Sequence, residues 1–256
     1  MFNLTNYRRL LEDALQAGYK FISFDGSLLS NRFLDANLCC LLRHDVDADL
    51  QAAFNMAQLE KSLGISSTYF LMLRSPLYNL MGRRNMIYAE KLLELGHQIG
   101  LHYDQGFDLH RGFSPDRTSA NIAMEASILE GQFACKVTAV SFHQPKPSVL
   151  QGALSTGSLL NTYDHDLLRR FSYFSDSNRK FSLCEDTETD ISHALSKLAP
   201  ANVQVLIHPM WWVYDDEGTH AVWDRAILSN FELMQSQLLE TERAYGGPRV
   251  FRITGE

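Results

Sequence analysis

The chain has 256 residues, 45% of them hydrophobic, which is enough for a sizeable core in one domain spanning 1–256. Its 23 basic and 30 acidic residues leave a formal charge of −7 with no lysine- or arginine-rich block, which excludes broad binding to nucleic acid or anionic membranes. No apolar run reaches the roughly 18 residues needed to suggest a membrane span.

Tyr7, Leu10, Leu11, Ala14 and Leu15 form a helical stripe near the N-terminus, and charges interrupt it before a secretory apolar region could form. The expectation is a cytoplasmic protein without a signal peptide. The strand candidates follow as Lys20–Phe24, Leu38–Asp45, Ser66–Leu73, Gln98–His102, Val137–Phe142 and Val203–His208. Between them, Ala52, Met56, Leu59 and Leu63 mark one helix, and Tyr88, Leu92 and Leu95, stopped by Gly96, mark another. Ser114-Pro115-Asp116 opens a third helix running to about Gly131, a cap serine followed by proline at the first helical position. Ile191, Ala194, Leu195 and Leu198 predict a helix before Pro200, and Ile227, Phe231, Met234 and Leu238 predict the last one. Residues 144–190 have the least regular pattern and are read as long loops and short strands over one face. The four cysteines, Cys39, Cys40, Cys135 and Cys184, form no CxxC pair and are read as reduced thiols.

Strands and helices that alternate in this way predict an α/β fold, a parallel sheet wrapped by helices, with strands that read as continuous apolar runs because both faces are covered. The stretch Leu41-Leu42-Arg43-His44-Asp45-Val46-Asp47-Ala48-Asp49 breaks that rule, since buried carboxylates need a cation or a metal beside them. Asp45 and Asp47 follow one apolar strand, and His102, His143 and His208 end three others. Four strands therefore deliver Asp or His to their C-terminal ends, the face on which parallel α/β barrels build active sites. Two histidines with a carboxylate suit zinc or another divalent first-row metal, and such an ion acidifies water near neutral pH. Residues two apart in an extended segment share a side, so Asp47 is placed to ligate and Asp45 to act as base. Asp49 reads as a helix N-terminal residue. His44 alternates away from Asp45 and is read as a packed histidine, His97 as a helix-to-strand junction residue, and His165, His193 and His220 as exposed. Trp211 and Trp212 are either core or loop anchors or flat surfaces for a sugar ring.

Arg43-His44-Asp45-Val46-Asp47, "GHQIGLHYD", "VSFHQP", "YFSDSN" and "LIHPMWW", in this order over residues 43–212, resemble the motif series of the polysaccharide deacetylase superfamily, carbohydrate esterase family 4 type. The resemblance implies a distorted (β/α) barrel of about seven strands and metal-dependent removal of an acetyl group from a sugar. By position it implies Asp45 as base, Asp47 as metal-binding aspartate, His102 as first metal histidine, His208 as general acid and Asp176 as support for the catalytic pair. The second metal histidine of the family falls on Gly106, and the arginine of the family falls on His143. His143 is taken as the replacement ligand ahead of Asp104, which would have to share one short loop with His102, and ahead of His110. Arg43, on the same side of its strand as Asp45, is taken to supply the missing guanidinium.

The function expected is a divalent-metal-dependent hydrolase, zinc first among metals, acting on an N-acetylated sugar or glycan, a precursor in surface polysaccharide biosynthesis. Hydrolysis of another amide or ureide, and a non-catalytic sugar-binding relative, remain open beside it. The oligomeric state has no signature in the sequence.

Overall fold

The computed structural model describes residues 2–24, 34, 37–109, 112–180, 201–215 and 218–247. The strands in chain order are β1 (Lys20–Ile22), β2 (Cys39–Val46), β3 (Thr68–Leu71), β4 (Gln98–Asp104), β5 (Ala139–His143), β6 (Leu160–Asn161), β7 (Ser172–Ser175) and β8 (Val203–Ile207). They hydrogen-bond in the order β6-β5-β4-β3-β2-β8-β7, every pair parallel. Short β1 pairs with Cys39–Leu41 of β2, and β3 pairs with Arg43–Val46 further along, while β8 runs beside Cys40–His44. The seven strands of the main order curl into a half-barrel wrapped by helices, a distorted (β/α) barrel of the α/β class.

The long helices are α1 (Leu4–Gln16), α2 (Leu50–Ser62), α3 (Arg83–Glu94), α4 (Pro115–Phe133) and α5 (Thr219–Thr241). Their starts follow local chemistry. Asp49 caps α2, its carboxylate accepting from the Gln51 and Ala52 amides, and Ser114 caps α4 with Pro115 at the first helical position. Gly96, at φ +90°, turns the chain out of α3 into β4. No helix among the described residues is long and apolar enough to cross a membrane. The helix expected over Ile191–Leu198, along with Cys184 and His193, lies outside the described residues. Cys39, Cys40 and Cys135 are free thiols.

All eight residues of β2 are buried, because helices cover one face of the sheet and the barrel interior covers the other. Alternation sorts its side chains. Leu42 and Val46 point outward to the helices, while Cys39 and Leu41 join Phe24, Phe70, Ala139 and Phe171 in an interior cluster. His44 also points outward, where its Nε2 lies 2.7 Å from Glu60 of α2, and Tyr7 and Ser67 donate to the same carboxylate at 2.5 and 2.6 Å. Burial pushes Glu60 up, and the neighbouring His44 and His97 with the Ser67 hydrogen bond more than offset this and hold it below the usual carboxylate range. His97, at the junction of α3 and β4, packs into this cluster, so both histidines belong to the helix–sheet layer.

The short strands expected within 144–190 include β6 and β7, the two ends of the main strand order. Two and four residues are too few to carry a periodic pattern, and pairing with β5 and β8 is what makes them strands. Among the described residues β6 and β7 do not pair, and side chains span the opening instead. Gln204 Nε2 donates to the Thr162 carbonyl at 3.0 Å, Arg43 Nη1 donates to Thr162 Oγ1 at 2.8 Å, and the rings of Tyr163 and Tyr173 lie 6.1 Å apart. The spacing of Ile227, Phe231, Met234 and Leu238 locates α5, and the structure puts this stripe at the protein surface. These residues line a surface groove of about 660 Å³ with Leu77 and Tyr78, and α5 buries Val222 and Ala226 instead.

Candidate metal centre

The C-terminal ends of β2, β4, β5 and β8 bring four titratable side chains to one rim. Asp47 lies one residue beyond β2, His102 lies within β4, His143 ends β5, and His208 follows β8. Asp47 Oδ1 is 2.9 Å from His102 Nε2 and 3.3 Å from His143 Nδ1. One ligand atom from each of the three lies within 4.8 Å of the other two, and the imidazole rings stand nearly perpendicular, 5.5 Å between centroids. A tetrahedral ion with bonds of about 2.0 Å sets its ligands about 3.3 Å apart, so the donor set and its spacing fit a divalent metal. The chemistry points the same way. Burial alone would raise Asp47, but hydrogen bonds from both histidines and the charge on His208 hold it well below the usual carboxylate range. His143 is raised in return, chiefly by its hydrogen bond to Asp47, against the opposing effect of burial.

Asp45 sits one layer deeper. Arg43, fully buried, clamps it with a guanidinium fork, Nε to Oδ1 at 2.9 Å and Nη2 to Oδ2 at 2.7 Å. The fork is itself fixed by Thr162, Ser141 and Tyr163, and it lies 4.7 Å from the centroid of the Tyr163 ring. Burial pushes Asp45 up, and the Arg43 charge, with His102 and His208, more than reverses this, so the carboxyl is held below its ordinary value and stays ionised.

His208 completes the rim. Its Nε2 lies 3.8 Å from Asp47 Oδ2, while Nδ1 lies 2.6 Å from Oδ1 of fully buried Asp176. Asp176 also accepts from the His208 backbone amide and from Trp212 Nε1 at 2.8 Å, so its position is over-determined. Burial disfavours a charged imidazole, but Asp176, followed by Asp47 and Asp45, pushes His208 up to about 9.

A cavity of about 300 Å³ opens over these groups, lined by Asp45, Asp47, His102, His143 and His208 together with Trp211 and Trp223. Trp211 meets Trp223 edge to face at 5.7 Å, so it is both an anchor and a wall of the site. Asp104 does not join the group. Its Oδ1 accepts the Gly106 amide at 2.7 Å, turning the loop after β4, and the same carboxylate occupies the space that a Cβ at Gly106 would enter. His110 lies outside the described residues. His165 and His220 are exposed, away from the cavity.

Sequence reading missed Ser141, Thr162, Tyr163 and Trp223. Ser141 carried a signal, because it lies two residues before His143 on the same strand and alternation turns both inward. Thr162, Tyr163 and Trp223 carried none, because they reach the site only through the packing of β6 and α5 against the rest.

No protein-family model and no curated protein matches the chain. Among solved structures it is similar to a CE4 family pseudoenzyme from Bacillus anthracis, at 16% identity over 76% of this chain and 60% of that one, with a TM-score of 0.42. It is also similar to the Streptococcus pyogenes deacetylase PplD in complex with acetate, at 16% identity over 80% and 81% of the two chains, with a TM-score of 0.47. A third is the chitin deacetylase from the fungal pathogen Colletotrichum lindemuthianum, at 13% identity over 76% and 81%, with a TM-score of 0.45. The chain thus spans about 60% of the length of the first of these. With likeness this distant, the chemistry of the site rests on its own geometry.

Proposed function

We propose that the chain is a divalent-metal-dependent hydrolase that removes the acetyl group from an N-acetylated sugar. The observation that carries this reading is the convergence of an Asp-His-His donor set with a cation-clamped carboxylate and a carboxylate-oriented imidazole around one cavity. Asp47, His102 and His143 would hold the ion, zinc by the donor set, and the ion when bound acidifies water and polarises a carbonyl. Asp45, ionised and oriented by Arg43, accepts the proton of the attacking water. His208, kept protonated at neutral pH by Asp176, turns Nε2 towards the site and donates its proton to the departing amine nitrogen. Trp211 and Trp223 offer aromatic surface to the face of a sugar ring.

The experiment is acetate release from a panel of N-acetylated sugars and oligosaccharides after removal and re-addition of divalent metals. Asp45→Asn and His208→Ala should each lower turnover about 10²- to 10⁴-fold. Wild-type protein that binds a sugar tightly, releases no acetate with any metal, and binds no better than its variants would refute the reading.

A further inference from the structure

Ser141, on β5, is wholly buried beneath the rim, and its hydroxyl touches three functional groups at once. Arg43 Nη2 lies 3.1 Å away, Asp45 Oδ1 2.9 Å and His102 Nδ1 2.6 Å. A hydroxyl has one hydrogen to give and two lone pairs to receive. A guanidinium only donates, and an ionised carboxylate only accepts, so Arg43 occupies one lone pair and the hydroxyl hydrogen goes to Asp45. The remaining lone pair faces His102 Nδ1 at 2.6 Å, and that contact is a hydrogen bond only if Nδ1 carries the hydrogen. In the neutral ring Nε2 is then bare, and it points at Asp47 Oδ1, 2.9 Å away. Two lone pairs held face to face at that distance are bridged by a cation, either a proton on Nε2, as in the hydrogen bond to Asp47, or a metal ion in its place.

We propose that Ser141 is a positioning residue that fixes His102 as the Nδ1–H tautomer, presents Nε2 as a metal ligand, and ties that ligand to the proposed base Asp45 through one hydroxyl. This rests on the metal-dependent reading above. Metal-bound histidines commonly give their second ring hydrogen to an acceptor that sets their orientation and basicity, and losing such an acceptor typically costs about 10–100-fold in metal affinity. Here the acceptor is a saturated serine, so the same side chain also orients the carboxylate beside the metal site. Arg43 and Asp45 keep their direct contacts to each other when the hydroxyl is removed.

The test measures zinc affinity by competition with a chromophoric chelator for wild type, Ser141→Ala and Ser141→Thr. Thermal unfolding of each variant checks the fold. Ser141→Ala should bind zinc about 10–100-fold more weakly, and Ser141→Thr, which keeps the hydroxyl, should recover most of the loss. In zinc-loaded protein with ¹⁵N-labelled histidine, His102 should show a slowly exchanging Nδ1–H resonance that disappears into exchange in Ser141→Ala. Unchanged zinc affinity in Ser141→Ala, or zinc on Nδ1 of His102, overturns the inference and leaves the hydrolase reading standing. Serine-dependent zinc binding without any acetate release supports the inference and removes the hydrolase reading. A wild-type protein that binds no divalent metal removes both.

Discussion

Asp176→Asn removes one charge from a fully buried position beside the site and should unload His208. In the folded protein His208 is pushed up to about 9 from an ordinary 6.5, with burial opposing and Asp176 as the largest contribution in favour of the charged ring. The gap of about 2.5 pH units corresponds to about 3 kcal/mol favouring the imidazolium at about 1.4 kcal/mol per unit. Because the folded value lies above the unfolded one, this stabilisation is fully present below about pH 6.5 and is lost as the pH rises through about 9. Metal-free wild type should therefore lose about 3 kcal/mol across that window from this group. With asparagine in place of Asp176, His208 should titrate below about 7 and most of the slope should vanish. His143 is raised as well and acts with the same sign, but both proteins share it, so the difference in slopes isolates His208. Asparagine also mismatches one of the donors that Asp176 accepts, and the resulting offset of about 1–3 kcal/mol is independent of pH. The assay is urea denaturation at intervals across the window in the presence of chelator, with NMR titration of the His208 ring. Identical slopes in the two proteins, or His208 titrating near 6.5 in wild type, would refute the reasoning.

Arg43→Met should cost about 3–5 kcal/mol by denaturant unfolding, because it leaves Asp45 ionised and buried without its cation, and the loss should shrink in acid as Asp45 takes up a proton. Gly100→Ala should cost about 1–3 kcal/mol. Its new Cβ would lie 2.5 Å from ring atoms of Phe70, on the inner face of β4 where the interior cluster cannot retreat, and a crystal structure should show that ring displaced. Asp47→Asn should weaken zinc binding by more than the roughly 10–100-fold that losing a supporting hydrogen bond costs, measured with the same chelator competition. Retained zinc stoichiometry and affinity in that variant would move the metal elsewhere.

The sequence by itself determined β2, β4, β5 and β8, because strands buried on both faces read as apolar runs and their polar endings stand out against them. Period-two alternation also put Arg43, Asp45 and Asp47 on one side and turned His44 to the other, where it meets Glu60. Helix starts at Asp49 and Ser114 were equally legible, since a cap bonds only to amides two or three residues away. The tertiary structure alone decided how these pieces meet. Asp104 and His143 were both open as partners of Asp47, and only the pairing of β4 with β5, together with the turn Asp104 makes onto Gly106, brings His143 into the group and leaves Asp104 out. Strands β6 and β7 became visible only as neighbours of β5 and β8, and with them came Thr162 and Tyr163, which hold Arg43 in place across the opening of the barrel. The apolar stripe on α5 was read correctly as helical and yet lies on the surface, since periodicity records which residues share a face and not what that face meets. Local pattern is set by bonds a few residues long. The site is set by contacts between positions more than a hundred residues apart, such as Asp47 with His208 and Arg43 with Tyr163.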